Sequence, residues 1–393
     1  MKQKNECIAC GGFSLSQILD LKSQPLANSY HNGVQPKEYP LGLNLCRNCY
    51  HLQLTHVVNP DELFKNYLYV SGTTKTLKDY FGWFAKQCIE KVKVRTKKVL
   101  DIACNDGTQL DSFKELGWHT YGVDPAENLF PISNKRHNVV CEYFNQDSFS
   151  EEFDIIIAQN VFAHTENALE FLQNASRMMH KDSLLFIQTS QAEMVKNNQF
   201  DTIYHEHLSF FNVNSMMSLS DRSDLNLIDV EKTPIHGTSY VFTFSKSQRP
   251  NRSLNTFLEL ERNDGLMSVS TYEKYAANVD KIVQNLSSFV SMKQSEGVKV
   301  IGYGAAAKGM TLLNYAKIKP DMIVDDNPMK IGLFTPGSNI KIDSPLVLKE
   351  IEESVVIVPL AWNFYDEIKN RVNLYRNNPA DIWVRYFPEL HYQ

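Results

Sequence analysis

From about residue 96, short apolar runs alternate with longer amphipathic stretches, and this alternation most restricts how the chain can fold. Four of the runs are strand candidates separated by helical material, at residues 98–104, 120–124, 153–158 and 183–188. Strands that alternate with helices form parallel sheets, because each crossover helix packs on a face of the sheet. The pattern therefore predicts a parallel α/β domain in this part of the chain.

A second alternation of the same kind begins near residue 298, with further strand candidates at residues 322–325 and 354–359. Residues 253–292 precede it and carry helical periodicity without proline, which indicates a connecting helix or helix pair. A chain of 393 residues is expected to hold two or three domains. We therefore predict four parts, at residues 1–57, 58–250, 251–295 and 296–393.

The composition is that of a globular protein, with 43% hydrophobic and 22% charged residues. The formal net charge of −5 gives no general attraction to nucleic acid or to an anionic membrane. The N-terminus lacks the apolar run of a signal peptide, and no apolar run reaches the roughly 18 residues of a membrane span. Seven cysteines without such a signal favour a reducing compartment. We therefore expect a cytoplasmic monomer without a nucleic-acid or membrane partner.

The first 57 residues hold two C-x2-C pairs, formed by Cys7 with Cys10 and by Cys46 with Cys49. Each such turn directs two thiolates at one point, and two turns complete a tetrahedral zinc site. Gly11 follows the first pair, where glycine relieves crowding in the turn. Four thiolates leave no open coordination position, so the zinc is expected to be structural. The alternative is four unlinked, buried thiols.

The loop after the first strand candidate carries Asp101, Ala103, Asn105 and Gly107. An acidic residue followed by small residues is the pattern with which class I methyltransferases hold the methionine part of S-adenosylmethionine (SAM). Here glycine occupies only the last of the three small positions. The loop alone therefore indicates little more than a strand, a turn and a helix.

Two further pieces are expected to meet this loop. Asp124 ends the next apolar strand, where a carboxylate can accept hydrogen bonds from both hydroxyls of a ribose. Gln159 and Asn160 follow the third strand candidate and lead into a turn that reaches His164. Ligands of open parallel sheets bind at the carboxyl ends of the strands, so the three pieces predict one crevice. A nicotinamide cofactor would require the G-x-G-x-x-G fingerprint, which this loop lacks.

Residues 200–211 place Tyr204, His205, Glu206 and His207 side by side. Such a density of titratable groups beyond a cofactor crevice marks a candidate acid–base site. On a regular strand the two histidines would share one face, so a second metal site with two known ligands is conceivable. The alternative is a loop whose histidines are satisfied by ordinary hydrogen bonds.

Residues 302–314 form a glycine-rich turn that follows a strand candidate and opens a helix. Backbone N–H groups at such a helix start can bind a phosphate, and Lys308 adds a positive charge. The residues allow either a diphosphate site or only a tight turn.

Together, these motifs resemble those of the sugar C-methyltransferase family, which acts on nucleotide-linked keto-deoxysugars. The resemblance covers nearly the whole chain, from the cysteine pairs and the loop at 105–107 to the turn at 160–164 and the run at 200–207. It continues through the segments at 302–315, 324–328, 336–337 and 360–364. By this resemblance we expect an α/β protein with an N-terminal zinc-binding module, a class I SAM-methyltransferase (Rossmann-like) domain and a second, C-terminal Rossmann-like α/β domain. The nucleotide-diphosphate sugar would lie between the last two.

The resemblance also implies roles for the residues of the acid–base site. His207 would be the general base, with Tyr204 and Glu206 beside it and His164 as a lesser candidate. This assignment requires a loop, because it brings the neighbours Glu206 and His207 into one pocket. The expected reaction removes a proton beside the ketone and transfers a methyl group to the resulting enolate carbon, with no catalytic metal.

Further residues are implied to bind the cofactor or the substrate. The cofactor set comprises Tyr67, Tyr69 and Ser71, which would close over SAM, together with Asp101, Ala103, Asn105, Gly107, Asp124, Gln159 and Asn160. The substrate set comprises His205, His236, Ser239, Tyr303, Lys308 and Asn363. The residues between His236 and Ser239 depart from the glycine-glycine-serine pattern more usual in the family, which affects only the local substrate contacts.

Three other functions remain as alternatives. A sugar O- or N-methyltransferase could use the same scaffold, with its base acting on a hydroxyl or an amine. A non-catalytic binding protein could keep the zinc module and a vestigial SAM fold. An NAD-dependent sugar oxidoreductase is the third alternative, and the absent fingerprint argues against it.

Overall fold

The N-terminal module is a small antiparallel sheet that carries the two cysteine turns. A computed structural model describes residues 1–65, 70–73, 75–190, 193–235 and 238–393. The first strands are β1 (Lys2–Gln3), β2 (Leu15–Pro25), β3 (Glu38–Cys46), β4 (Leu52–Leu54) and β5 (His56–Val57). β3 pairs with β2 and β4, and β1 pairs with β5. Leu41, Leu43 and Leu45 alternate along β3 and are all buried, which gives the sheet an apolar face.

The central region folds into a seven-stranded sheet in the order β12-β13-β10-β9-β6-β7-β8. Its elements are α1 (Asp61–Phe64), α2 (Lys75–Lys91), β6 (Lys98–Ile102), α3 (Thr108–Glu115), β7 (His119–Val123), α4 (Phe130–Ser133), β8 (Asn138–Val140), β9 (Phe153–Gln159), α5 (Ala168–Arg177), β10 (Met179–Ser190), β11 (Ser209–Phe210), α6 (Val213–Ser220), β12 (Asn226–Thr233) and β13 (Ser239–Ser245). Strands β6 to β10 are parallel, whereas β13 is antiparallel to both of its neighbours. The predicted class I methyltransferase domain is confirmed.

The centre of this sheet explains where a ligand can bind. β9 is buried along almost its whole length, as expected for a parallel strand covered on both faces. β6 pairs with β7 on one side and with β9 on the other. The chain thus leaves β6 in one direction and later returns on its other side, which opens a crevice at the carboxyl ends of these strands.

Two helices, α7 (Arg252–Asn263) and α8 (Val269–Ser295), follow the sheet and confirm the helix pair among the predicted alternatives. The C-terminal elements are β14 (Val300–Tyr303), α9 (Ala307–Ala316), β15 (Met322–Val324), β16 (Ile342–Asp343), β17 (Val356–Pro359), α10 (Tyr365–Tyr375), β18 (Ile382–Arg385) and β19 (His391–Tyr392). They form a sheet in the order β16-β15-β14-β17-β18-β19, parallel except for β19. The second α/β domain is confirmed.

The parts of the chain share one apolar core. It includes residues of the N-terminal sheet, the central sheet, α8 and the C-terminal sheet. β11 leaves the central region and pairs with β4, so it completes the N-terminal sheet. Both α8 and α9 pack on β2. Among the described residues, no helix combines the length and the hydropathy needed to cross a bilayer.

Candidate functional site

The four predicted ligand cysteines lie together in the N-terminal module. Their sulfur atoms are all within 4.8 Å of one another; the Cys7–Cys49 and Cys10–Cys46 pairs are each 3.6 Å apart. Tetrahedral zinc with bonds of about 2.3 Å separates its sulfur ligands by about 3.8 Å. The cluster therefore fits one zinc ion, whose coordination the four thiolates complete.

Both cysteine turns use the same backbone conformation. Gly11 has φ 71°, and its N–H donates to the Cys7 carbonyl at 2.9 Å. Tyr50 has φ 57° in the second turn, and its N–H donates to the Cys46 carbonyl at 2.9 Å. Glycine adopts this left-handed conformation freely, whereas for a tyrosine it costs about 1–2 kcal/mol. The second turn therefore depends more on the metal and on packing than the first.

A cavity of about 500 Å³ opens at the carboxyl edge of the seven-stranded sheet. The predicted site residues that line it are Ser71, Asp101, Ala103, Asn105, Asp124, Gln159, Asn160, His164, Tyr204, His207, Lys308 and Asn363. The loops after β6, β7 and β9 supply most of the predicted cofactor group. The crevice therefore lies at the expected switch point of the sheet.

The loop after β6 is held in an unusual conformation. Ala103 and Asn105 have φ of 63° and 51°, and the Asn105 N–H donates to the Asp124 carboxylate at 2.8 Å. Gly107 precedes α3 with φ 83° and does not line the cavity. A Cβ at this position would lie 2.7 Å from the His137 ring, so glycine is required here for the turn and its packing.

Two buried carboxylates face the cavity. The oxygens of Asp124 accept the N–H groups of Asn105 and Ala126, each at 2.8 Å, and keep lone pairs for a ligand. Burial raises the pKa of Asp124; burial and the nearby Asp124 charge raise the pKa of Asp101 well above its usual range. The side-chain oxygen of Asn160 is buried without a partner among the described residues. SAM fits these acceptor groups, because it brings a positively charged sulfonium, an ammonium and two ribose hydroxyls that can donate hydrogen bonds.

Gln188 lines the same cavity and is not among the site residues predicted from the sequence. Its side-chain oxygen accepts the Tyr80 hydroxyl at 2.5 Å and the Gln159 amide at 3.1 Å. These bonds hold Gln159 at the end of β9. Its position in the sequence does point to the crevice, because Gln188 is the last residue of the fourth strand candidate, as Asp124 is the last residue of the second.

His207 lies in the cavity wall as a defined tautomer. Its Nδ1 lies 2.8 Å from the Thr202 carbonyl oxygen, which can only accept, so Nδ1 carries the hydrogen. Nε2 is then the basic nitrogen, and the Tyr204 hydroxyl donates to it at 2.9 Å. An imidazole oriented in this way through its second nitrogen has the arrangement of a general base.

His164 lies beside His207, with the two ring centres 5.1 Å apart. Burial lowers the pKa of His164 to about 4, so this imidazole is neutral at physiological pH. His164 therefore lines the cavity as an uncharged ring near pH 7.

Residues 204–207 form a turn, in which the His207 N–H donates to the Tyr204 carbonyl at 2.9 Å. The acid–base assignment requires such a loop, and the regular strand considered beside it is not formed. Among the described residues, the one group of three or more candidate metal ligands is formed by the four cysteines, and neither His205 nor His207 belongs to such a group. The turn brings Tyr204 and His207 to the same cavity.

The two residues between them contact the N-terminal module instead. The His205 ring donates through Nε2 to the Tyr39 carbonyl at 3.2 Å, and His205 does not line the cavity. Glu206 is buried and accepts a hydrogen bond from the Asn28 amide at 2.6 Å. No motif in the sequence points to Asn28, which lies 178 residues before its partner.

Several predicted residues lie away from the cavity or outside the described residues. The Tyr303 hydroxyl donates to Asp326 at 3.0 Å, and the Ser239 hydroxyl donates to the Ile235 carbonyl at 3.0 Å. Neither side chain lines the cavity. Tyr67, Tyr69 and His236 lie outside the described residues.

The glycine-rich turn occupies the corresponding position in the second sheet. Asp325 follows β15 and accepts the N–H groups of Ala305 and Asn327 at 2.6 and 2.7 Å. The Ala305 carbonyl accepts the Tyr30 hydroxyl at 2.5 Å and the Lys330 ammonium at 2.8 Å. The chain's own side chains therefore occupy this turn.

Three family models match consecutive parts of the chain. They are described as "Putative zinc binding domain" for residues 7–64, "Methyltransferase domain" for residues 76–230 and "C-methyltransferase C-terminal domain" for residues 234–388. The matches follow the same order as the three structural parts.

Similar proteins include methyltransferases of two kinds. C-methyltransferase NovU of Streptomyces niveus is 29% identical over 388 residues, which cover 93% of this chain and 91% of that protein. A ubiquinone biosynthesis O-methyltransferase of Glaesserella parasuis serovar 5 is 30% identical over 106 residues, or 24% of this chain and 45% of that protein. A solved SAM-dependent methyltransferase of Clostridium acetobutylicum has 12% identity and a TM-score of 0.37, covering 45% of this chain and 94% of that one. The match to NovU extends across all three parts of the chain.

Proposed function

We propose that this chain methylates a carbon beside the ketone of a nucleotide-linked deoxysugar. The proposal starts from its membership of the SAM-dependent C-methyltransferases that carry an N-terminal zinc-binding domain. The observation that carries the proposal is the orientation of His207. Its Nδ1 hydrogen is fixed on the Thr202 carbonyl, and its basic Nε2 belongs to the wall of the crevice. The sugar class is supported by the motif resemblance described above.

Carbon methylation explains why a base is needed at this place. A C–H bond becomes acidic enough to ionise when a ketone lies beside it, because the resulting charge moves to the oxygen. His207 Nε2 takes the proton, while Thr202 holds the imidazole through the opposite nitrogen. Tyr204 keeps Nε2 oriented until the substrate arrives. Such a positioned base contributes a rate enhancement of about 10²–10⁴-fold.

The cofactor end of the cavity binds and orients SAM. We assign Asp124 to the ribose hydroxyls and Asp101 to the positively charged methionine end, with Ser71, Gln159 and Asn160 beside them. Bound SAM supplies an electrophilic methyl group. The residues of the crevice hold the two reactants close and exclude water, which accounts for a large part of the catalysis.

The zinc site takes no part in the reaction. Four thiolates fill its coordination sphere, so no position remains for a substrate or water. Its role is to hold the two cysteine turns together.

Deuterium exchange tests the proposal. The enzyme is incubated in deuterated water with thymidine, uridine, guanosine and cytidine diphosphate deoxysugars that carry a ketone at C3 or C4. Exchange beside the ketone of one of them is expected, and SAM then adds a carbon-bound methyl group there. His207→Ala should slow the exchange by about 10²–10⁴-fold. His119→Ala changes an exposed histidine outside the cavity and should leave the rate unchanged.

Other outcomes identify the alternatives. Methyl transfer to a hydroxyl or an amine without exchange would identify an O- or N-methyltransferase. Undiminished exchange by His207→Ala would remove His207 as the base. Failure of SAM to bind in calorimetry would leave a non-catalytic binding protein.

A further inference from the structure

Lys308 is the single lysine or arginine that lines the cavity among the described residues. The cavity also carries the carboxylates of Asp101, Asp124, Glu166 and Glu170. A sugar diphosphate bears about two negative charges. In this cavity those charges would be attracted by one lysine and repelled by several carboxylates. A single negative oxygen is a better match for one ammonium group.

The surroundings of Lys308 do not satisfy its ammonium. It lies 4.9 Å from the centre of the Trp362 ring and makes no hydrogen bond or ion pair with another described residue. Lys308 is half-buried in the cavity wall, so its ammonium is available to a ligand in the cavity, and a negatively charged ligand atom would give it a charge-assisted hydrogen bond. Burial lowers the pKa of Lys308, whereas the charge of Asp201 raises it.

Neighbouring contacts hold Lys308 on the segment that carries the base. One turn further along α9, the Thr311 hydroxyl donates to the Ile203 carbonyl at 3.3 Å. The Trp362 indole N–H donates to Asp201 at 2.8 Å. The start of α9, the Trp362 ring and residues 201–207 are thus fixed to one another, and Lys308 and His207 line the same cavity.

We propose that the Lys308 ammonium binds the ketone oxygen of the substrate and stabilises the enolate oxygen that forms when His207 removes the neighbouring proton. This rests on the proposed function. The C–H electron pair becomes the carbon–carbon π bond, the carbonyl π pair moves to the oxygen, and the proton moves to His207 Nε2. No oxidant or reductant is needed, and the Lys308 hydrogen bond strengthens as charge develops on the oxygen.

The Tyr204 hydroxyl is directed at His207 Nε2 until the substrate arrives. Once released from Nε2 it is a neutral donor, whereas Lys308 is a charged donor, and a charged donor stabilises a developing oxyanion more strongly.

Lys308→Met tests the inference, because methionine has a similar length and no charge. The readout is deuterium exchange, without SAM, into the nucleotide keto-sugar that the wild-type enzyme exchanges. At saturating substrate, the exchange rate should fall by about 10²–10³-fold, as for the loss of one oxyanion donor. The dissociation constant of that nucleotide sugar in calorimetry should change by less than about threefold, since the ground-state ketone is neutral. Ethylammonium added to Lys308→Ala should restore part of the exchange.

Matched controls separate the outcomes. Lys319→Met removes an exposed lysine just after the same helix and should change neither readout. Lys308→Arg keeps the charge and guards against a folding defect in the methionine variant. A weakened dissociation constant with unchanged exchange at saturation would make Lys308 a phosphate ligand and overturn the inference. Unchanged values of both would overturn it as well, whereas absence of exchange by the wild-type enzyme would instead refute the proposed function.

Discussion

At the scale of single residues, Asp124 and Asp325 have the same backbone partners and different surroundings. Each follows the second strand of its sheet and accepts two backbone N–H groups. Asp124 lines the cavity. Asp325 instead has the Lys330 ammonium 4.0 Å away, and the Tyr30 ring lies against that ammonium. The carboxylate of the first sheet is thus available to a ligand, whereas that of the second is covered by the protein.

We predict that Asp124→Asn weakens SAM binding by about 10–100-fold, because charged hydrogen bonds to the ribose are worth roughly 1.5–3 kcal/mol. Calorimetry with SAM measures the change. Asp325→Asn loses the same kind of carboxylate on a similar loop and should leave SAM affinity unchanged. Equal effects of the two substitutions would argue against Asp124 as the ribose ligand.

At the scale of elements, the helix pair is tied to the segment that follows His207. Glu261 near the end of α7 is buried, and its carboxylate accepts the N–H groups of Val213 and Asn214 at 2.6 and 3.2 Å. Both N–H groups belong to the first turn of α6, where a negative charge is favourable. Burial nevertheless raises the pKa of Glu261 to about 7. The Glu261 carboxyl, which connects α7 to the start of α6, therefore changes its protonation near neutral pH.

The pH dependence of stability follows from this raised pKa. The folded state holds the Glu261 proton more tightly than the unfolded state, so its contribution is complete below about pH 4.5 and is lost as the pH rises through about 7. Between pH 5 and 8 the wild-type protein should lose on the order of 2 kcal/mol of unfolding free energy that Glu261→Gln does not lose. Urea denaturation at several pH values measures this difference.

The control for this prediction is Glu259→Gln, which removes an exposed carboxylate from the same helix. Its pH profile should match that of the wild-type protein. Parallel profiles for Glu261→Gln and the wild-type protein would show that Glu261 does not titrate in this range.

Elements were predicted well where the pattern is local and poorly where tertiary contacts decide. The apolar runs at 98–104 and 153–158 predicted β6 and β9, because parallel strands are buried on both faces. The run Tyr204–His207 alternates in a way that also suits a strand. Its turn depends on the Thr202 carbonyl and on residues from the other modules, and a one-dimensional pattern contains neither.

At the scale of the whole molecule, the zinc module and residues 204–214 support each other. Asn212 and Asn214 donate to the carbonyls of Tyr50 and Cys49, each at 2.9 Å, and so hold the second cysteine turn. In return, the Asn28 amide of the N-terminal module donates to the Glu206 carboxylate. These long-range bonds were not predictable from the sequence, since no spacing rule relates residues so far apart. The cysteine ligands were predictable because each pair needs only its own turn.

We therefore predict that Cys46→Ser costs more than zinc. The wild-type protein should contain about one zinc ion per chain in metal analysis, and the variant should contain less. Its melting temperature should fall, and methyl transfer should fall as well, because the turn beside His207 loses its support. Cys141→Ser alters a half-buried thiol outside the cluster and should keep both metal and activity. Full activity in a zinc-free protein would contradict the coupling.

The pairing of β11 with β4 also has a consequence for how the chain is made. Residues 1–57 leave the ribosome well before Phe210, and until Phe210 has emerged their sheet lacks its last strand. During that interval β4 has an exposed edge, and the captured metal is what holds the two cysteine turns in register. The N-terminal module is thus completed only when residues 209–210 are available, and these follow just after the turn that ends at His207.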